Sequence, residues 1–549
     1  MHSIEVLLFM LLAVIVSSYV TRVVPFSVPV PLVQIGLGVL IAAFSQNAMA
    51  LNPEIFFLIF LPPLLFLDGW RIPKTGLFHD KAVVVGLAFG LVFFTVVGAG
   101  YLIHWVIPAM PLSVSFALAA VVSPTDPVAV SSVVSRGPFP KRLMHILEGE
   151  SLLNDASGLV CFRFAVAATM TGAFSLGDAS LTFVWLASAG LATGVGVTLA
   201  IAHVQRWLSR LWGEESGAAI LTNLLMPFGA YLVAEHIHAS GILAAVAAGV
   251  TMSYVEMSGR ALATTRVQRA AVWDTVRFTL NGLMFVLLGE QLPQIVGRAA
   301  TAVQEVGQRS SLWLVVYALF IVVILAVLRY AWVWMCWHAI LLRARFEGRE
   351  VNAPNSRVVA IMSLSGVRGA ITLAGVLSLP LLLPDGTQFP ARDRVIFLAA
   401  AVILFSLVLA SALLPRLLQG LNVTVSESHD DDVEEEEEAV RQAAVAAIKA
   451  VEDASHALKT DDAAEAELYT QAMLRVIETY KTRLAPDELF AVSEGQTLRA
   501  ADEVEAKLRL AALQAERRVI FGLARIGRIS DEVSRRLVRQ IDLVEARYH

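Results

Sequence analysis

A chain of 549 residues that is 57% hydrophobic and only 16% charged, with a mean hydropathy of +0.67, falls well outside the composition of ordinary soluble proteins. It predicts a polytopic membrane protein. The two cysteines, Cys161 and Cys336, both sit in apolar runs, which excludes a disulfide framework and a cysteine metal site, and the net charge of −5 hides basic loops ahead of an acidic C-terminal region.

A helix needs about 20 apolar residues to cross roughly 30 Å of hydrocarbon. Runs of that kind predict thirteen spans, at approximately 4–20, 27–44, 54–70, 82–105, 111–134, 143–171, 182–205, 217–235, 240–257, 273–292, 312–340, 358–383 and 393–418. The first lacks a basic leader and a small-residue cleavage site, which makes it a span rather than a signal peptide. Lys and Arg alternate along the loops. One set carries Arg22; Arg71, Lys74 and Lys81; Arg136, Lys141 and Arg142; Arg206 and Arg210; Arg260, Arg266 and Arg269; and Arg343, Arg345, Arg349 and Arg357. The other set has only Arg298, Arg309 and Arg392. The positive-inside rule then places the N-terminus outside and the C-terminus in the cytoplasm.

Residues 1–420 thus form a membrane domain. An acidic linker follows at 421–438, where "SESHDDDVEEEEE" repels itself into an extended segment. Residues 439–549 show helical spacing of apolar residues, as in "AVRQAAVAAIKAVEDA", and predict a soluble, cytoplasmic helical tail. The tail is either a packing or dimerisation appendage or a regulator of the membrane part. No GxxxxGK[ST] motif is present to drive an ATP-powered pump, and nothing asks for a cofactor or a nucleic-acid partner.

Charges at membrane depth are costly and usually functional. Counting along the spans puts Asp126, Asp155, Arg329 and Arg368 near the middle of spans 5, 6, 11 and 12, which suggests a single site. In "EGESLLNDASG" Glu150 and Asn154 stack on one face, and Ser151 and Asp155 on a second about 100° away, giving a strip of oxygens along the helix. A simple interhelical polar clasp is the rival reading. In "SPTDPVAV" Pro124 and Pro127 break span 5 near Ser123 to Asp126. Broken backbone at this depth must be satisfied by protein or a water-filled cavity, a construction used for cation sites. The alternative is a plain proline kink capped by Asp126. In "SLSGVRGAITLAG" Gly366 and Gly369 loosen span 12 around Arg368. Spans 5 and 12 hold the fifth place in two sets of six and run in opposite directions, as an inverted repeat requires. Arg163 and Arg277 lie near span ends and read as snorkelling side chains. Asp68, Glu235, His236 and His238 lie close to the interfaces.

"SPTDPVAV", "EGESLLNDASG", "SGILAAVAAG" and "SGVRGAITLAG", in this order and spacing, resemble the monovalent cation:proton antiporters, in the branch of the NhaP antiporters and the animal sodium/proton exchangers, and within it the YjcE-like bacterial subgroup. The resemblance covers residues 1 to about 420. It implies an all-α fold of about 13 transmembrane helices, two inverted six-helix repeats with crossed broken helices, and a homodimer in the bacterial inner membrane. Carried over by position, Asp155 binds either cation or proton and Asn154 completes the Asn-Asp pair of the electroneutral branch. Glu150, Ser151 and the Thr125 backbone are further site positions, with Na⁺ held at Asp155, Ser151 and Thr125 and Glu150 paired with Arg329. Asp126 and Arg368 compensate the half-helix ends at the crossing.

The expectation is a secondary active antiporter, not an enzyme, exchanging Na⁺ (or Li⁺ or K⁺) for H⁺ by alternating access. Burial disfavours the charged form of a carboxylate, whereas a bound cation favours it, so the two ligands compete. Replacing a second carboxylate by Asn154 removes a titratable charge and supports electroneutral exchange. A cation channel with a regulatory tail is the alternative; an intramembrane hydrolase using Asp126 and Asp155 is a remoter one.

Overall fold

The computed structural model describes residues 2–23, 28–44, 53–71, 81–134, 139, 141–172, 176–213, 215–256, 263–305, 312–346 and 356–419, and six isolated residues beyond them. The chain separates into two compact units, Met1–Asn422 and Val423–His549. Apart from those six residues (Ile448, Lys449, Leu474, Ile477, Leu543 and Glu545, all helical), the predicted linker and tail lie outside the described residues.

Among its described residues the first unit is mostly helical, with one isolated β-bridge between Leu382 and Gln388. Its helices are α1 (His2–Val23), α2 (Val30–Phe44), α3 (Pro53–Arg71), α4 (Lys81–Val85), a π-helical segment (Gly86–Leu91), α5 (Val92–Val106), α6 (Leu112–Val122), α7 (Pro127–Val134), α8 (Lys141–Thr171), α9 (Leu176–Trp212), α10 (Ser216–His236), α11 (Gly241–Glu256), α12 (Ala263–Glu305), α13 (Leu312–Phe346), α14 (Ser356–Leu364), α15 (Ala370–Leu377) and α16 (Arg392–Leu418). Every predicted span falls on one of these helices or pairs of them. Among the described residues eight helices are long and apolar enough to cross a membrane, and α2, α6 and α11 are shorter apolar helices.

Three differences from the predicted spans have physical causes. The span expected at 358–383 ends at Leu377, because Pro380, Pro384 and Gly386 turn the chain out of helix before α16 begins. The run at 82–105 contains the π-helical segment, a distortion that tends to mark functional regions. Its carbonyls are used: Gly86 O accepts from Trp332 Nε1 at 3.2 Å, and Ala88 O accepts from Ser157 Oγ at 2.8 Å. The span at 273–292 is only the apolar middle of α12, which runs for 43 residues.

The helices pack in two groups. In one, α1–α3 associate with α9–α12; in the other, α4–α8 associate with α13–α16, and α12 also leans on α16. Small residues permit the closest approaches, as expected where lipid offers no hydrophobic drive between helices. A Cβ on Gly38 would lie 2.0 Å from Val286 O, and one on Gly249 2.0 Å from Phe66 O. Those glycines set the α2–α12 and α3–α11 contacts.

Candidate functional site

The break in the fifth predicted span is present. Helix α6 ends at Val122, α7 begins at Pro127, and the non-helical stretch Ser123 to Asp126 joins them, with Asp126 O accepting from Val130 N–H at the start of α7. The break in the twelfth lies at Ser365 to Gly369, between α14 and α15. The two loops meet: Asp126 N–H donates to Val367 O at 2.7 Å. A Cβ on Gly369 would stand 2.1 Å from Asp126 Oδ2, so only glycine permits this approach.

Four half-helices ending at one point bring together two positive and two negative ends, each equivalent to about half a charge. The two charged residues at the breaks are disposed accordingly. Asp126 Oδ1 accepts from Ala129 N–H at 3.4 Å, at the N-terminus of α7. Arg368 is buried, donating from Nε to Val122 O at 2.9 Å, from Nη1 to Gly366 O, and from its backbone N–H to Ser406 Oγ at 3.3 Å. Its charge meets carbonyls at the C-terminal ends of α6 and α14.

Helix α8 passes beside this crossing with the two faces expected. On one, Glu150 receives Arg329 in a bidentate pair, Nη1 to Oε1 at 2.5 Å and Nη2 to Oε2 at 2.6 Å, with side-chain exposures of 1% and 3%. Arg329 Nε also donates to Met362 O at 2.9 Å. Thr125 Oγ1 donates to Glu150 Oε1 at 3.2 Å, and Asn154 Nδ2 donates to Thr125 Oγ1 at 3.1 Å and to Glu150 Oε1 at 3.5 Å. One buried network therefore ties α8, α13, α14 and the break after α6. Asn154 Oδ1 is buried and has no partner among the described residues.

On the other face, Ser151 and Asp155 line a cavity of about 40 Å³ with Pro124, Thr125, Asp126, Gly369 and Thr372. The volume suits one water or one small cation. The carboxylate of Asp155 is buried and makes no hydrogen bond among the described residues. Glu150, Asn154, Arg329 and Arg368 lie outside this cavity and brace its walls.

The far wall comes from the other helix group and was largely missed by the spacing argument. Asp68 on α3 and Arg277 and Asn281 on α12 line the same cavity. Arg277, read as a snorkelling residue, is half-buried and contributes to the cavity wall. Its spacing of four from Asn281 was the available signal, since it puts both on one face. Arg163, by contrast, pairs with Glu235 at 3.2 Å, both partly exposed, and Glu235 Oε1 also accepts from Gly241 N–H.

Two crossed, interrupted helices with charged residues at their ends, beside a small carboxylate-lined cavity between two helix groups, define a membrane ion carrier. The profile of the family described as "Sodium/hydrogen exchanger, transmembrane" matches residues 7–420, and the chain belongs to that family. It is 41% identical over 548 residues to the Na(+)/H(+) exchanger YjcE of Escherichia coli (strain K12), covering 98% of each chain. It is 44% identical to the sodium, potassium, lithium and rubidium/H(+) antiporter of Bacillus pumilus (strain SAFR-032), covering 80% of this chain and 65% of that one. The fold is similar to that of the sodium proton antiporter MjNhaP1 from Methanocaldococcus jannaschii, with a TM-score of 0.58 at 16% identity, over 77% of this chain and 99% of that one.

Proposed function

We propose that this transporter exchanges one monovalent cation for one proton by alternating access, electroneutrally, with Na⁺ as substrate and Li⁺ and K⁺ as alternatives. The observation that carries the reading is the Asp155 carboxylate, buried and unbonded among the described residues, in a cavity of about 40 Å³ beside Ser151 and Thr125. A dehydrated cation held there needs several oxygens, and Asp155, Ser151, Thr125 and the backbone of the break supply them. A proton on Asp155 removes the charge that holds the cation, so the two ligands exclude each other. Either neutralises the carboxylate; an empty, charged one is costly to carry through an apolar barrier. That difference couples the fluxes. The small size of the cavity favours occlusion over the channel alternative.

In this reading Glu150 and Arg329 fix α8 against α13, Asn154 ties α8 to Thr125, and Asp126 and Arg368 hold the crossing together. The name of the Bacillus pumilus relative supports a broad monovalent range. Thirteen crossings in two inverted repeats, an outside N-terminus, a cytoplasmic C-terminus, the bacterial plasma membrane and the homodimer implied by the resemblance complete the proposal. The tail is assigned packing or regulation.

Proteoliposomes loaded with a pH-sensitive dye test it. Addition of Na⁺, Li⁺ or K⁺ is expected to produce proton movement with wild type. A silent response to all three from folded protein, over a range of pH, would contradict the proposal.

A further inference from the structure

Most of the charge around the site is already offset. Glu150 has Arg329, and Arg368 has the carbonyls of Val122 and Gly366. Asp126 sits at the N-terminus of α7 and accepts from Ala129 N–H. Arg71, one turn along α3 from Asp68, is taken by Asp274 at 2.7 Å. Glu148, one turn before Ser151 and Leu152, lies within electrostatic reach of Arg277 and Asp68 but is exposed, so water screens its charge. Three charges remain: Asp68, Asp155 and Arg277. They line one cavity, and among the described residues none of the three makes a hydrogen bond or ion pair.

This matters for stoichiometry. Asn154 in place of a carboxylate was the sequence argument for a single mobile charge, yet Asp68 brings a second carboxylate to the cavity from α3. Two ionised carboxylates would demand two monovalent ions to leave the cavity neutral. The guanidinium of Arg277, a fixed positive charge, cancels one of them. We infer that Arg277 is the fixed counter-charge that leaves this cavity one negative charge, and so limits it to one monovalent cation or one proton per crossing. The inference rests on the antiport reading above. Its geometry is that of a charge held beside Asp68 on α12, in one helix group, on the wall of a cavity that Asp155 on α8 lines from the other.

The substitutions follow from the charge count. Arg277→Gln leaves two unbalanced carboxylates, so a second positive charge must enter or net charge must move. Arg277→Lys keeps the count. Asp68→Asn with Arg277→Gln restores it. Asp68→Asn alone leaves Arg277 opposing the incoming cation across a small cavity between packed helices, where like charges interact more strongly than in water.

The experiment is a Na⁺ concentration jump on proteoliposomes, with net charge movement read as current and proton movement read by an internal dye. Wild type and Arg277→Lys are expected to move protons without net charge. Arg277→Gln is expected to show current or, where two cations enter together, a steeper Na⁺ dependence with a Hill coefficient of about two, and the Asp68→Asn/Arg277→Gln double variant to lose either change while still exchanging. Asp68→Asn alone is expected to raise the apparent KM for Na⁺ by about tenfold or more. Exchange by Arg277→Gln that is both current-free and hyperbolic in Na⁺, or either change persisting in the double variant, would overturn the assignment. Should Arg277→Gln fail to fold, the double variant and Asp68→Asn decide: an unchanged KM in Asp68→Asn overturns it. Absence of any wild-type exchange would instead overturn the antiport reading, and this inference with it.

Discussion

Removing Arg329 tests the bracing of the site. The side chain makes two charge-assisted hydrogen bonds to Glu150, at 2.5 and 2.6 Å, and a third to Met362 O at 2.9 Å. Hydrogen bonds to charged groups contribute about 1.5–3 kcal/mol each. The larger effect is that Arg329→Ala abandons Glu150, whose side chain is 1% exposed, in the interior. Breaking a buried pair on one side costs about 3–5 kcal/mol, some of which water entering the vacated space recovers. Unfolding of purified protein in detergent, followed by heat or by SDS titration, should therefore show a loss near that range. Two comparisons separate burial from mere ion pairing. Arg163→Ala breaks a pair whose members are 46% and 35% exposed and is expected to cost less than about 1 kcal/mol. The double variant Glu150→Leu/Arg329→Met removes both charges and should recover much of the stability lost by Arg329→Ala, as apolar replacements of buried pairs do. A wild-type unfolding midpoint for Arg329→Ala, or a double variant no better than the single, would refute the reasoning.

Gly369→Ala places a methyl group 2.5 Å from Asp126 Cβ, which has no freedom to retreat; exchange in proteoliposomes should fall by about tenfold to a hundredfold as the two breaks are forced apart. Gly38→Ala meets backbone of α12 and should cost about 1–3 kcal/mol in unfolding experiments, whereas Gly36→Ala meets nothing within 4 Å and should add about 0.5–1 kcal/mol. In the loop after α15, Thr387 Oγ1 and N–H donate to Asp385 Oδ1 at 2.6 and 2.9 Å and hold this exposed carboxyl below the usual carboxylate range. A depressed value means that these contacts are intact at neutral pH and are lost only as pH falls through the lowered midpoint. NMR titration should place that midpoint below about 3.9, and Thr387→Ala should raise it towards that value.

The breaks and the two faces of α8 were legible because local rules decide them. Pro124 and Pro127 cannot continue a helix, and a spacing of four fixes which side chains share a face. The π-helical segment was not legible: Gly86 and Gly90 permit it, but Trp332 and Ser157, from distant helices, supply the partners that satisfy its carbonyls. Arg277 was misjudged for a different reason. An apolar run locates the lipid-facing stretch of a helix, not the helix, and α12 begins ten residues before the run that identified it. Counted from the run, Arg277 sat at an edge; only the approach of α3 and α8 to α12 shows that it lines the cavity. Asp68, three residues before the end of α3, was ambiguous until α12 and the break after α6 closed the cavity around it.

The central claim is that cation and proton compete for Asp155. Purified protein in weakly buffered detergent solution can be mixed with Na⁺ while pH is followed directly. The account predicts release of about one proton per cation bound by wild type and none from Asp155→Asn. Sodium binding without proton release, or undiminished release from Asp155→Asn, would contradict it.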